Sequence, residues 1–183
     1  MSRRTVAFLV GLVALSLAVA SLAFADNGKG KDDGKGDKRT TWAASLIGYN
    51  EVPATNSKGH ATLSLALDSG MITFRLEYSG LSGNPAAAHV HIGQVAVNGG
   101  VSFFFCGGGG KPACPASTSG TINGTVVAAD VVGPTAQGFA AGDLDSVVAA
   151  IQHGLGYANM HTANFPGGEI RGQVRPTGHH FGH

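Results

Sequence analysis

The 183-residue sequence predicts an all-β fold, an antiparallel Greek-key-like sandwich or barrel carrying one short helix. Three observations carry that reading. Apolar residues alternate with polar ones along short segments, which is the period of a strand with one buried face. Glycine-containing turn signals separate those segments at close intervals. A 3.6-residue apolar stripe occurs in only one place, near residue 148.

Each element follows from its own residues. "WAASLIGYNEV" (42–52) reads as a first strand ending before Pro53. In "HATLSLALDSGMITFRLEYSGL" (60–81), Leu63, Leu65 and Leu67 alternate with Thr62, Ser64 and Ala66. The chain turns at "DSG", and Ile72, Phe74 and Leu76 then alternate with Thr73, Arg75 and Glu77, which makes a hairpin. "AAHVHIG" (87–93), "GVSFFFC" (100–106) and "SGTINGTVVA" (119–128) are further strands, the last with Ile122 and Val126 as core positions. In "GDLDSVVAAIQHG" (142–154), Asp143 or Asp145 can cap a helix whose Leu144, Val147, Val148 and Ile151 share a stripe, and Gly154 stops it. "YANMHTANFPGGEIRGQV" (157–174) closes the domain as a second hairpin around "NFPGG".

The rest of the chain reads differently. Residues 1–25 combine "MSRR", a long apolar run and a final "AFA", the pattern of a signal peptide cut after Ala25; retention as an anchor is the alternative. Residues 26–40 carry no apolar side chain, and their five cations are nearly balanced by Asp26, Asp32, Asp33 and Asp37, as in a polar linker. Residues 41–176 form the β domain, and 177–183 a tail carrying His179, His180 and His183. The expected location is therefore outside the cytoplasm, periplasmic or extracellular, with no membrane span after cleavage. The domain holds five cations against seven anions, for a net charge of −2, so it has no footprint for nucleic acid. Cys106 and Cys114 flank "GGGGKPA" and, in an oxidising compartment, can pair to pin that loop; a redox pair would sit more often as C-x-x-C beside a helix.

Alternation also sorts the chemistry. Val90 and Ile92 point to the core, so His89 and His91 point away from it together, with Cα atoms roughly 7 Å apart at strand pitch. In the closing hairpin Met160, Ile170 and Val174 are the core set. The opposite face carries Asn159, His161, Glu169, Arg171 and Gln173, either open to solvent or as the floor of a pocket. If the two strands are neighbours, His161 is the third ligand of a copper or zinc ion held by His89 and His91, with Glu169 as a fourth ligand or an orienting group and Asn159, Arg171 and Gln173 as a supporting polar network. The alternative is two ordinary surface histidines that bind nothing. Imidazoles of His91 and His161 within about 5 Å of each other favour the ion, and a separation beyond about 10 Å favours the ordinary histidines.

The stretches "NEVPATNSKGHATLSLALDSGMITFRLEYSGLSG", "AAAHVHIG" and "ANMHTANFPGGEIRGQV" together resemble the CHRD domain, the repeat module of chordin that also occurs singly in exported bacterial proteins. The resemblance runs over most of residues 41–176 and places a histidine pair at His89 and His91. "CGGGGKPAC" departs from the family pattern and leaves the geometry of that loop open. In chordin the repeats belong to a secreted antagonist of growth-factor signalling, which implies export and a binding role and names no reaction. Three functions are therefore open: a binding module with a copper or zinc site, a structural or protein-interaction module of the cell envelope without metal, and an enzyme like copper–zinc superoxide dismutase. The last needs more histidines than the domain's five and a bridging aspartate, so an enzyme is the minority expectation.

Overall fold

The computed structural model describes residues 40–177. The signal peptide, nearly all of the linker and the tail read from the sequence lie outside them. Nine strands form one antiparallel sheet: β1 (Thr40–Ile47), β2 (His60–Asp68), β3 (Met71–Ser79), β4 (Pro85–Ile92), β5 (Gly100–Cys106), β6 (Gly120–Val126), β7 (Gly156–Thr162), β8 (Ile170–Gln173) and β9 (Arg175–Pro176). Their order is β5-β4-β7-β8-β1-β2-β3-β6, with β9 added beside β1. The sheet curls into a nearly closed barrel, and among the described residues one nine-residue α-helix, α1 (Leu144–Gln152), joins it. Among the described residues, no helix is long and apolar enough to cross a membrane.

The period-two pattern sets the core. Trp42, Leu46, Leu63, Leu65, Ile72, Leu76, Val90, Phe103, Met160 and Ile170 are among the large side chains fully enclosed inside. At the β2–β3 turn, Ser69 and Gly70 both adopt positive φ (50° and 76°), the two-residue connection whose twist matches an antiparallel pair. Asp143 caps α1 by accepting a 3.0 Å bond from the Ser146 amide, and Leu144, Val147, Val148 and Ile151 bury the expected stripe.

The first strand is shorter than the sequence suggests. It stops at Ile47, because the Gly48 carbonyl accepts from the amides of Glu51 (3.1 Å) and Thr55 (2.9 Å) and winds residues 48–50 into a 3-10 turn. That turn takes Glu51 out of the strand, and its side chain is buried.

The strand order decides the outcome for the histidines. β7 inserts between β4 and β8, so the histidine doublet and the closing hairpin are direct neighbours. Across the β4–β7 ladder, Ala87 faces His161, His89 faces Asn159 and His91 faces Tyr157. His161 is therefore the diagonal neighbour of His89 on the outer face, within reach of long side chains.

Candidate metal centre

His89, His91 and His161 converge on the outside of the barrel. One ring nitrogen from each lies within 4.8 Å of the others. The His89 ring stands 4.5 Å from that of His91 and 4.7 Å from that of His161, centroid to centroid. A tetrahedral ion with bonds of about 2.0–2.1 Å spaces its ligands about 3.3 Å apart, so the rings need close by about 1.5 Å at most.

Hydrogen bonding fixes which nitrogens are available. His91 Nδ1 lies 2.8 Å from the Gly99 carbonyl and His161 Nδ1 lies 2.9 Å from the Pro166 carbonyl. With each Nδ1–H donating to its backbone oxygen, the Nε2 lone pair of His161 is left without a partner and that of His91 is turned toward Asn159. An imidazole that donates its far N–H to a carbonyl is the usual arrangement around a bound metal. His161 Nε2 and His89 Nδ1 are buried with no hydrogen-bond partner among the described residues. His91 Nε2 faces Asn159 Oδ1 at 3.2 Å, two acceptors that a cation between them would satisfy together.

Burial keeps the rings of His89 and His91 neutral. Burial, reinforced by His91 and His161, pushes His89 down to about 3. Burial also lowers His91, against the opposing pull of the Gly99 carbonyl and Asn159. At neutral pH these two rings meet a cation without a proton to displace.

The remaining polar residues do structural work around the three rings. Tyr157 stacks on His91 (4.6 Å, 6° between planes), and the Arg171 guanidinium carbon sits 3.4 Å from the centre of the Tyr157 ring. Arg171 also donates to Asn98 Oδ1 (3.0 Å) and to the carbonyls of Val97 (2.8 Å) and Gln94 (3.3 Å). Gln173 Nε2 donates to the carbonyls of Gly93 (3.0 Å) and Gly154 (2.8 Å). Together they clamp the segment 93–99, whose last carbonyl holds His91. The polar face is thus covered rather than open: Tyr157, Asn159 and Arg171 are all buried. Arg171→Lys keeps the charge but loses the planar fork. The expected result is a loss of about 2–3 kcal/mol, read from the urea midpoint, and an unchanged midpoint would contradict the clamp.

Glu169 stands apart from the three rings. Its Oε1 accepts from Ser57 Oγ (2.7 Å) and the Ser82 amide (2.7 Å), and its Oε2 from Ser82 Oγ (2.8 Å) and Thr162 Oγ1. Those four donors occupy the carboxylate, which corrects its expected place beside the ion. The residue precedes β8 and does not follow the strand's alternation.

Sequence reasoning missed two participants. Glu51 is buried beside Asn159 and Arg171, with Oε1 unpartnered; burial pushes it up to about 7 despite the opposing pull of Arg171, the Val52 amide and Asn159. Its sign in the sequence is an acid two residues before Pro53. Phe104, edge-on to His89 at 4.9 Å, is the second.

An antiparallel barrel that gathers three imidazoles on a covered outer face defines a binding or scaffolding module. The model of the CHRD domain matches residues 42–174, and the chain belongs to that family. No curated protein and no solved structure matches it. Cys106 and Cys114 form the expected disulfide.

Proposed function

We propose that this protein is an exported CHRD-domain module that binds one copper or zinc ion through His89, His91 and His161, with Asn159, Arg171 and Gln173 maintaining the geometry. The observation that supports it is the convergence of three imidazoles, two tethered through Nδ1 to backbone carbonyls, with one buried, unpartnered ring nitrogen on each of His89 and His161. Three nitrogen ligands suit Cu²⁺ and Zn²⁺ better than Ca²⁺ or Mg²⁺, which take oxygen.

The test is calorimetric titration of the full chain, carrying His179→Ala, His180→Ala and His183→Ala to remove scavenging by the tail. One Cu²⁺ or Zn²⁺ per chain is the expected stoichiometry, lost in His89→Ala/His91→Ala. Equal binding by the two proteins rules the site out.

A second reading, an interaction module of the cell envelope without metal, draws on exposed Tyr49, Val95 and Val97. They lie on two loops tied together by Asn98 Nδ2 donating to the Val52 carbonyl (3.1 Å).

A further inference from the structure

We infer that the loop closed by the Cys106–Cys114 disulfide is the positioning element for His89, acting through Phe104. The inference rests on the metal reading above and adds a means by which the third ring is held.

His91 and His161 are each anchored by a backbone carbonyl, but His89 Nδ1 has no partner. Packing alone orients that ring. Two of its aromatic contacts are the other two ligands, and the third is Phe104, its cross-strand partner on β5, at 4.9 Å and 77° between planes. The ladder slips by a residue on either side of this pair, between Ala88 and His89 and between Val90 and His91. Irregularities of that kind re-aim side chains, so the backbone hydrogen bonds do not by themselves dictate where His89 points.

Phe104 is in turn held by the glycine loop. A Cβ on Gly108 would fall 2.4 Å from Phe104 Cε1, and one on Gly109 would fall 2.5 Å from Phe104 Cδ2. The bare backbone therefore lies flat on the ring, on a surface that any side chain would spoil. That close approach is what the run "GGGG" makes possible.

The loop is fastened at three places. Cys106, buried at the end of β5, is bonded to Cys114 eight residues on. Across the base, the Gly107 amide donates to the Pro112 carbonyl (2.8 Å). At the far side, Lys111 Nζ donates to the Thr125 carbonyl (2.8 Å) and pairs with Asp130 at 2.8 Å, tying the loop to β6 and the segment after it. The disulfide thus braces a stack that runs from the glycine backbone through Phe104 to His89.

Two variants in the tail-histidine-free background test the brace. Cys106→Ser/Cys114→Ser removes the covalent fastening. Gly108→Ala leaves the disulfide in place and pushes a methyl group into Phe104. Zn²⁺ affinity is measured by competition with a chromophoric chelator, fold by far-UV circular dichroism, and the number of coordinated nitrogens by the superhyperfine pattern of bound Cu²⁺. Both variants are expected to fold and to bind Zn²⁺ about 10-fold more weakly or worse, the scale of losing an orienting group around a metal. The copper spectrum should fall from three nitrogens to two, since His91 and His161 keep their own anchors.

Parental affinity with three nitrogens in both variants overturns the brace. Should the double serine variant fail to fold, Gly108→Ala decides by the same criteria. A parent that binds no Zn²⁺ and no Cu²⁺ instead removes the metal site, and the brace with it.

Discussion

Replacing Glu169 by alanine is expected to destabilise the protein by about 3–5 kcal/mol, the largest effect of any single polar substitution here. The carboxylate is fully enclosed and accepts four hydrogen bonds from three residues, Ser57, Ser82 and Thr162, that approach from three parts of the chain. Hydrogen bonds to a charged group contribute about 1.5–3 kcal/mol each, and removing the acceptor also leaves buried donors without partners. Thr55 Oγ1 donates to the Glu169 carbonyl (2.7 Å), so the same residue joins the 52–59 loop to the closing hairpin through both backbone and side chain. Against a total stability of about 5–15 kcal/mol, such a loss is visible as a much lower urea midpoint. Glu169→Gln separates this role from metal binding. It swaps one acceptor oxygen for an NH₂ that confronts existing donors, so stability should fall while metal affinity is kept. A variant with normal stability and weakened metal affinity would return Glu169 to the ligand set.

That residue marks where reading by alternation succeeds and where it stops. Parity along a strand was enough to put His89 and His91 on one face, to separate Asn159 and His161 from Met160, and to choose Ile170 and Val174 for the core, because the pleat enforces those relations locally. Whether β7 lies beside β4 is a matter of topology. The sequence carries it only through the family pattern, and the three-ring centre depends on it. Glu169 falls just outside β8, where the chain is still leaving the turn, and there parity says nothing. Glu51 escaped for a similar reason: the strand that was expected to carry it breaks into a 3-10 turn at Gly48. Phe104 looked like an ordinary member of "GVSFFFC", and only the slip in the ladder beside His89 and the glycine backbone above it give the ring a particular task. Loop-to-strand contacts of this kind have no period and leave no pattern to read.

The second large effect is acid sensitivity of the metal-free protein. His89 has an ordinary value of 6.5 and a folded value of about 3, so between those limits the unfolded chain binds a proton that the folded chain refuses. Stability gained from that ring is complete above about 6.5 and is lost as the pH falls toward 3. His91 is shifted in the same direction, chiefly by burial, and adds to the loss. Glu51 works with the opposite sign. Its value rises from 4.5 to about 7, so the folded chain holds the extra proton; its contribution is complete below 4.5 and disappears as the pH rises through 7. Between about 4.5 and 6.5 the histidines and Glu51 therefore oppose each other, and stability should change little. Below 4.5 Glu51 is protonated in both states and stops compensating. Glu169 then joins the loss: burial raises it, but the bonds from Thr162, Ser57 and Ser82 prevail and hold it below its ordinary value, so its contribution fades as acid reaches it. Each unmatched proton changes stability by up to about 1.4 kcal/mol per pH unit. The expected profile is a plateau from about pH 5 to 7 and a steep fall between about pH 4.5 and 3, measured as urea midpoints in the presence of a chelator. His89→Gln removes one titrating ring and should make the acid limb shallower. Glu51→Gln removes the compensating proton and should turn the plateau into a slope that declines toward acid from about pH 6.5. A parent profile that stays flat down to pH 3 would show that His89 and His91 are not buried as neutral groups, and would withdraw the electrostatic case for a cation beside them.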